Sequence, residues 1–289
     1  MRIWDNIKTE FSKGRSAVHQ IVLIILAVFI FSTLVLLSGK LFNAPASDIL
    51  NFFYLPSDLS SLLVKPWTIV TNIFFHSTFG IRHALGNVLA IYFIGRLLED
   101  FMSTRRMWTL FLGGGISGSI LFVALYNLLP TFEEVVGISV LLGASGGVAA
   151  ILAGAAIFIP YYILRPFGIF EITMRNACVL MLFIMLTYPI IDGNLGGFFA
   201  HLGGAIFGSI FILNLQGKIN IPKFEIKLPQ KKAKLKTVKG GRAKEADTAP
   251  GSSNRPKQEE VDAILDKISN SGYDSLTKEE KELLFKASE

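Results

Sequence analysis

Six stretches of nearly unbroken apolar residues run along the chain, at 21–38, 81–98, 107–128, 143–161, 172–191 and 197–215. Each is close to the roughly 20 residues that a helix needs to cross the hydrocarbon core of a bilayer. The pattern therefore predicts an all-α polytopic membrane protein with six transmembrane helices. Residues 39–80 are also apolar and aromatic, but Pro45, Pro56 and Pro66 interrupt them. That piece is too broken to span and too greasy to be a free loop, which suits a structure lying partly in the membrane interface. After residue 258 a helical period returns, with Val261, Ile264, Leu265 and Ile268 on one face. Thr277-x-x-Glu280 then forms a capping box ahead of Leu283, Leu284 and Phe285. The expected organisation is a cytoplasmic N-terminal segment (1–20), a six-helix membrane domain (21–217), a basic flexible linker (218–258) and a small helical cytoplasmic module (259–289).

Composition sharpens this picture. Hydrophobic residues make up 51% of the chain and charged ones 17%, too apolar a balance for a soluble protein of 289 residues. Most charges lie before residue 20 or after residue 217. The start of the chain is mixed in charge and has no small-residue cleavage site after its first apolar stretch, so that stretch reads as a retained span. The single cysteine, Cys178, allows no intrachain disulfide. Basic residues set the expected orientation. Arg2, Lys8, Lys13 and Arg15 precede the first span, and Arg96, Arg105 and Arg106 flank the loop between the second and third. Arg165 and Arg175 flank the loop between the fourth and fifth, and Lys218, Lys223 and Lys227 follow the sixth. The opposite loops offer Glu133, Glu134 and Asp192, with only Lys40 and Lys65 in the long first loop. The positive-inside rule then places both termini in the cytoplasm.

With that orientation, spans two, four and six all enter from the outer face, and each opens with a polar group. Span two carries His83 and Asn87 in its first two turns, span four opens on Ser145, and span six carries His201. At 1.5 Å of rise per residue, all fall within about 10 Å of the same boundary. Polar and ionisable groups at membrane depth are expensive and mark functional sites. A serine hydroxyl becomes a good nucleophile once a neighbouring base accepts its proton, and neutral imidazole is suited to that task. Attack on a carbonyl creates an oxyanion, which His83, the Asn87 amide and the Ser145 backbone N–H can stabilise. His83 and Asn87 are four residues apart and share a helix face. No acidic residue is expected beside His201 at this depth, so a Ser-His dyad is favoured over a triad. Gly143, Gly146 and Gly147 surround Ser145, and Gly203, Gly204 and Gly208 follow His201. Such small residues let membrane helices approach closely, as a hydroxyl and an imidazole on separate helices require. Gly113-Gly114-Gly115 lies inside a span and reads as another helix contact surface.

These residues resemble the motifs of the rhomboid family. Gly143-Ala144-Ser145-Gly146 matches its GxSG motif, Ala200, His201 and Gly204 its AHxxG motif, and His83 and Asn87 its HxxxN motif. His76 follows Phe74-Phe75 upstream, and Gly95 and Glu99 match a GxxxE element at the inner end of the second span. The resemblance covers about residues 15–217. It implies an intramembrane serine protease of the bacterial cytoplasmic membrane that uses no cofactor or metal. The implied site is a Ser145/His201 dyad and an oxyanion hole of His83, Asn87 and the Ser145 amide, supported by Gly143, Gly146, Gly204 and His76. The implied partners are membrane-protein substrates cut within or beside a transmembrane segment. Two positions depart from the family pattern. Ala149 stands where many members stack an aromatic ring on the imidazole, leaving Phe198 or Phe199 as candidates to orient it. Trp67 is followed by Thr68 rather than arginine.

Rival readings differ in what they require. A transporter would bring polar groups to the midplane, usually with internal repeats; no repeat is visible and the polar groups lie near one face. A catalytically inactive relative acting as a binding module would keep the bundle and lose Ser or His, and both are present. A zinc enzyme built on His76, His83 and His201 lacks a His-Glu-x-x-His spacing and a carboxylate beside those histidines. The basic segment after residue 217 favours anionic lipid headgroups over nucleic acid. The C-terminal module, which looks like one appended to some bacterial rhomboids, is a candidate docking element for a cytoplasmic partner.

Overall fold

The first helix, α1 (Ala17–Phe42), begins at Ser16, whose hydroxyl accepts from the His19 N–H, and ends at Asn43 in the left-handed conformation. Capping therefore extends it beyond both ends of the expected span. The computed structural model describes residues 16–77, 81–220, 258–271 and 275–288. Expectations for residues 1–15, for 78–80 and for the linker from 221 to 257 lie outside the described residues. The chain divides into two compact units, Met1–Phe224 and Glu225–Glu289.

Within the first unit, residues 43–77 fold into α2 (Ala46–Asn51), β1 (Leu55–Pro56), α3 (Leu59–Val64) and α4 (Thr68–Thr71). Trp67 has no arginine after it, yet its indole N–H donates to the Phe52 carbonyl (2.8 Å) and its ring packs on Phe52. Thr71 adds a bond to the Phe53 carbonyl at 2.8 Å. The backbone is then helical from Ile81 to Glu99: α5 (Ile81–Ala90), a π-helical segment Ile91–Gly95, and α6 (Arg96–Glu99). Helix α7 (Thr104–Leu128) follows, capped by the Ser103 hydroxyl. A loop then leads to β2 (Val140–Leu141), which pairs antiparallel with β1.

Helix α8 (Ser145–Phe158) is shorter than the expected span at 143–161. Its start is fixed by Gly143, at φ +132°, which a helix excludes. Its end is fixed by Pro160, which pushes Ile159 out of helical geometry (φ −128°). Every residue from Ser145 to Ala156 is buried, so α8 is the centre of the bundle, packed on α7 and on two later helices. Those are α9 (Met174–Ile191) and α10 (Leu195–Leu215). Between α8 and α9, the strands β3 (Ile163–Leu164) and β4 (Ile172–Thr173) pair as a hairpin, closed by a bond from Arg165 Nη2 to Glu171 Oε1 at 2.7 Å. Among the described residues, α1, α7, α9 and α10 are long and apolar enough to cross a membrane.

Small residues set how closely these helices lie. A Cβ on Gly114 would run into Ala150 of α8, and one on Gly113 into the Phe207 ring of α10. The glycine triplet is thus a helix contact surface. Glu99 ties the far end of α6 to the start of α1: its buried carboxylate accepts from Ser16 Oγ (2.6 Å) and from the Ala17 N–H. A carboxylate at a helix N-terminus meets both unpaired N–H groups and the positive end of the helix dipole.

The second unit contains α11 (Gln258–Ser271) and α12 (Lys278–Ser288), with Ile264 and Leu276 buried. The capping box is formed: the Thr277 N–H donates to Glu280 Oε2 (2.8 Å), and the Glu280 N–H to Thr277 Oγ1 (3.3 Å). Lys267 also donates to Glu280, and these bonds hold its carboxyl below the ordinary range.

Candidate active site

Ser145 is the first residue of α8 and is only 6% exposed. The turn before it is fastened at two points. The Gly143 N–H donates to the Asn72 carbonyl (2.9 Å), and the Asn72 amide is itself fixed to Ser119 Oγ (3.1 Å). The Ala144 N–H donates to His76 Nε2 (3.3 Å). No side chain caps α8, so its first N–H groups have no intrahelical partner and point out of the helix start.

His76 Nδ1 is 3.3 Å from the Phe74 carbonyl, and its Nε2 receives the Asn87 side-chain amide at 2.9 Å. A carbonyl only accepts, so the proton is on Nδ1 and Nε2 is the acceptor. His76 is therefore a clamp between α5 and the turn before Ser145. One N–H of Asn87 is spent on this clamp, which leaves the other for the cavity. The His83 ring meets His76 edge-on, with centroids 5.7 Å apart. A Cβ on Gly143 would lie 3.1 Å from His83 Cε1 and 3.7 Å from Ser145 Oγ. Gly143 thus leaves open the point where imidazole and hydroxyl converge.

His201 lies two turns into α10, 7% exposed. Its Nδ1 is 2.6 Å from the Met185 carbonyl of α9. By the same reasoning Nδ1 carries the proton, and Nε2 is left as an acceptor. Neither Phe198 nor Phe199 orients the ring: Phe199 packs on Tyr126 and Phe132, and Phe198 on Phe199. The candidate role given to those aromatics is corrected to a backbone carbonyl. Gly146 and Gly204 mark the crossing of α8 with α10, where a Cβ on Gly204 would collide with the Gly146 carbonyl.

Ser145, His83 and His201 line one cavity of about 420 Å³ together with Asn87, and another of about 620 Å³. No hydrogen bond joins Ser145 to His201 among the described residues, although both face the same space. The larger cavity is also lined by Asp192. The imidazole N–H goes to the Met185 carbonyl and not to this carboxylate. Arg82 lines both cavities from the head of α5. A count of basic residues along the loops passes over it. Among the described residues, no three His, Cys, Asp or Glu side chains converge to hold a metal ion. The sequence pattern did not single out Asn72, Ser119 or the Met185 carbonyl. The first two are ordinary polar residues in apolar surroundings, and the third is backbone.

The family model of the Rhomboid domain matches residues 64–217, and a family of unknown function (DUF6576) matches residues 252–289. No curated protein sequence matches the chain. The chain belongs to the rhomboid family, made up in general of intramembrane serine proteases and also containing inactive members. It is an integral, multi-pass membrane protein.

Proposed function

We propose that the protein is a serine endopeptidase that cuts other membrane proteins within or beside their transmembrane segments. The observation that carries this reading is the tautomer and placement of His201. Its Nδ1–H is held by the Met185 carbonyl, and it lines both cavities that Ser145 lines. Ser145 Oγ attacks the scissile carbonyl while His201 Nε2 takes its proton. The oxyanion meets the Ser145 N–H, His83 and the free N–H of Asn87. Collapse expels the amine, which leaves with the proton from His201. Water, deprotonated by the same imidazole, then releases the acyl group. In this reading helices α1, α5–α6, α7, α8, α9 and α10 are the six spans, with both termini cytoplasmic. Helix α8, at 14 residues, covers about 21 Å, short of a hydrocarbon core of about 30 Å. Ser145 at its start is then sunk below the outer boundary. The substrate peptide must leave its own helix to expose a carbonyl, which favours segments with Gly, Pro or polar residues near that face. Every group invoked precedes residue 202, so the second unit takes no part in the chemistry.

The test is cleavage of a purified transmembrane substrate in liposomes, with the product mapped by mass spectrometry. Cleavage should persist in chelator. A mechanism-based serine reagent with two reactive centres should stop it by joining Ser145 to His201. Loss in chelator with recovery on adding zinc would favour the three-histidine reading, and a folded protein that neither cleaves nor reacts would favour the inactive one.

The oxyanion donors should be separable from the base. His201→Ala is expected to fall to background, because His201 is the proposed base for the hydroxyl proton and His83, which also lines both cavities, is assigned to the oxyanion. Asn87→Ala should lose about 10²–10³ in turnover, the usual cost of one oxyanion donor, and remain measurable because His83 and the Ser145 amide persist. Single-turnover rates decide the order. A rate for His201→Ala above that of Asn87→Ala would mean that another group is the base.

A further inference from the structure

Helix α9 contains one residue that a helix does not favour, Pro189, placed between Tyr188 and Ile190. In a regular helix the N–H of residue 189 would bond to the carbonyl of residue 185. Proline has no N–H, and its ring crowds the carbonyl four residues earlier and tilts it off the helix axis. The carbonyl released in this way is that of Met185. It is the same carbonyl that receives His201 Nδ1–H at 2.6 Å from α10.

The geometry points to Pro189 as a positioning residue for His201. By withholding its N–H, Pro189 frees and turns the Met185 carbonyl towards α10, and that carbonyl holds the imidazole with Nε2 facing the cavity. This inference rests on the protease reading above and explains how the imidazole is oriented where position 149 is alanine. Which ring nitrogen carries the proton is set by the bond that the other nitrogen makes. In this chain the partner is a main-chain carbonyl, which no side-chain substitution removes directly. The His201 bond also satisfies the acceptor that Pro189 leaves open. Proline and histidine complete each other across the α9–α10 contact.

Pro189→Ala restores the missing N–H, which competes for the Met185 carbonyl and draws it back towards the helix axis. Pro189 also lines the cavities, so the readout must separate positioning from substrate contact. Two measurements do so: kcat against KM on a transmembrane substrate, and the rate at which a small fluorophosphonate labels Ser145. The expected result is a drop of about 10–100-fold in both kcat and labelling, by comparison with the loss of an orienting partner of a metal-binding histidine. KM should stay within about twofold. A second variant carries the α-hydroxy analogue of alanine at position 189, which has alanine's side chain and an ester oxygen in place of N–H. It should recover most of the lost rate. Equal slowing in both variants would place the effect in the shape of the proline ring and overturn the proposal, as would parent-like rates in Pro189→Ala.

A third readout does not depend on activity. Imidazole ¹⁵N spectra of the parent, assigned by His201→Ala, should show Nδ1 protonated and Nε2 bare on His201 at neutral pH. The opposite tautomer would end the proposal whatever the kinetics. If instead Ser145→Ala and His201→Ala both cleave like the parent, the protease assignment fails. The ¹⁵N signature and its change in Pro189→Ala would still report whether Pro189 governs His201.

Discussion

Ser145→Ala is expected to abolish peptide-bond cleavage while leaving the folded membrane protein intact. The size of the effect follows from what is removed. In hydrolases that use an activated serine, losing the nucleophile alone lowers kcat on the order of 10⁶-fold, about as much as losing the whole catalytic group. The fold should survive because the change deletes one oxygen and keeps the Cβ that packs at the start of α8. The hydroxyl caps nothing, since α8 starts without a side-chain cap. The turn before it is fastened by other atoms, Gly143 N–H to Asn72 and Ala144 N–H to His76. Parent and variant should therefore unfold at the same denaturant midpoint. The variant should also fail to react with a fluorophosphonate. Equal cleavage by the two proteins would remove Ser145 from the mechanism and leave His201 lining a cavity for some other purpose.

The apolar stretches made the positions and order of the main apolar helices legible, because burial in lipid or in protein asks the same thing of a side chain. Their ends were less legible. Ser16 and Ser103 lengthen α1 and α7 by capping, whereas Gly143 and Pro160 shorten α8. Those four residues were visible, but their effect depends on backbone angles that hydropathy does not encode. The strands β1 and β2 could not be read at all: each is two residues long, and they come together across more than 80 positions. The candidates Ser145, His83, Asn87 and His201 stood out as polar groups in an apolar background, and all four line one cavity. His76 stood out for the same reason, yet its task became clear only from the two donors that converge on Nε2. What stayed hidden was the acceptor for His201. Aromatic stacking was a reasonable expectation for a ring beside Phe198 and Phe199, but Phe199 packs on Tyr126 and Phe132, and Phe198 packs on Phe199. A carbonyl has no letter of its own in a sequence.

Gly204→Ala is expected to reduce activity by at least about 10²-fold and to destabilise the bundle, although it adds one methyl group far from any charge. A Cβ at position 204 would collide with the Gly146 carbonyl, and Gly146 is the residue after Ser145. The obstacle is backbone on both sides, so no side chain can swing away, and α8 and α10 must separate. Overpacking a closely fitted interior typically costs about 1–3 kcal/mol. The approach is equally close at two neighbouring glycines, where a Cβ on Gly208 would meet the Ala150 carbonyl and one on Gly118 the Ala200 carbonyl. Separation of these two helices moves Ser145 on one away from His201 on the other, and a misplacement of about 1 Å at reacting groups can cost 10²-fold in rate. The loss should thus appear in kcat and in fluorophosphonate labelling, together with a lower unfolding midpoint in detergent. Gly137→Ala is the control, since a Cβ there would meet nothing within 4 Å, and it should match the parent in both measurements. If Gly204→Ala retained full turnover, the helices would have room to yield, and close backbone contact would not be what sets the distance between hydroxyl and imidazole.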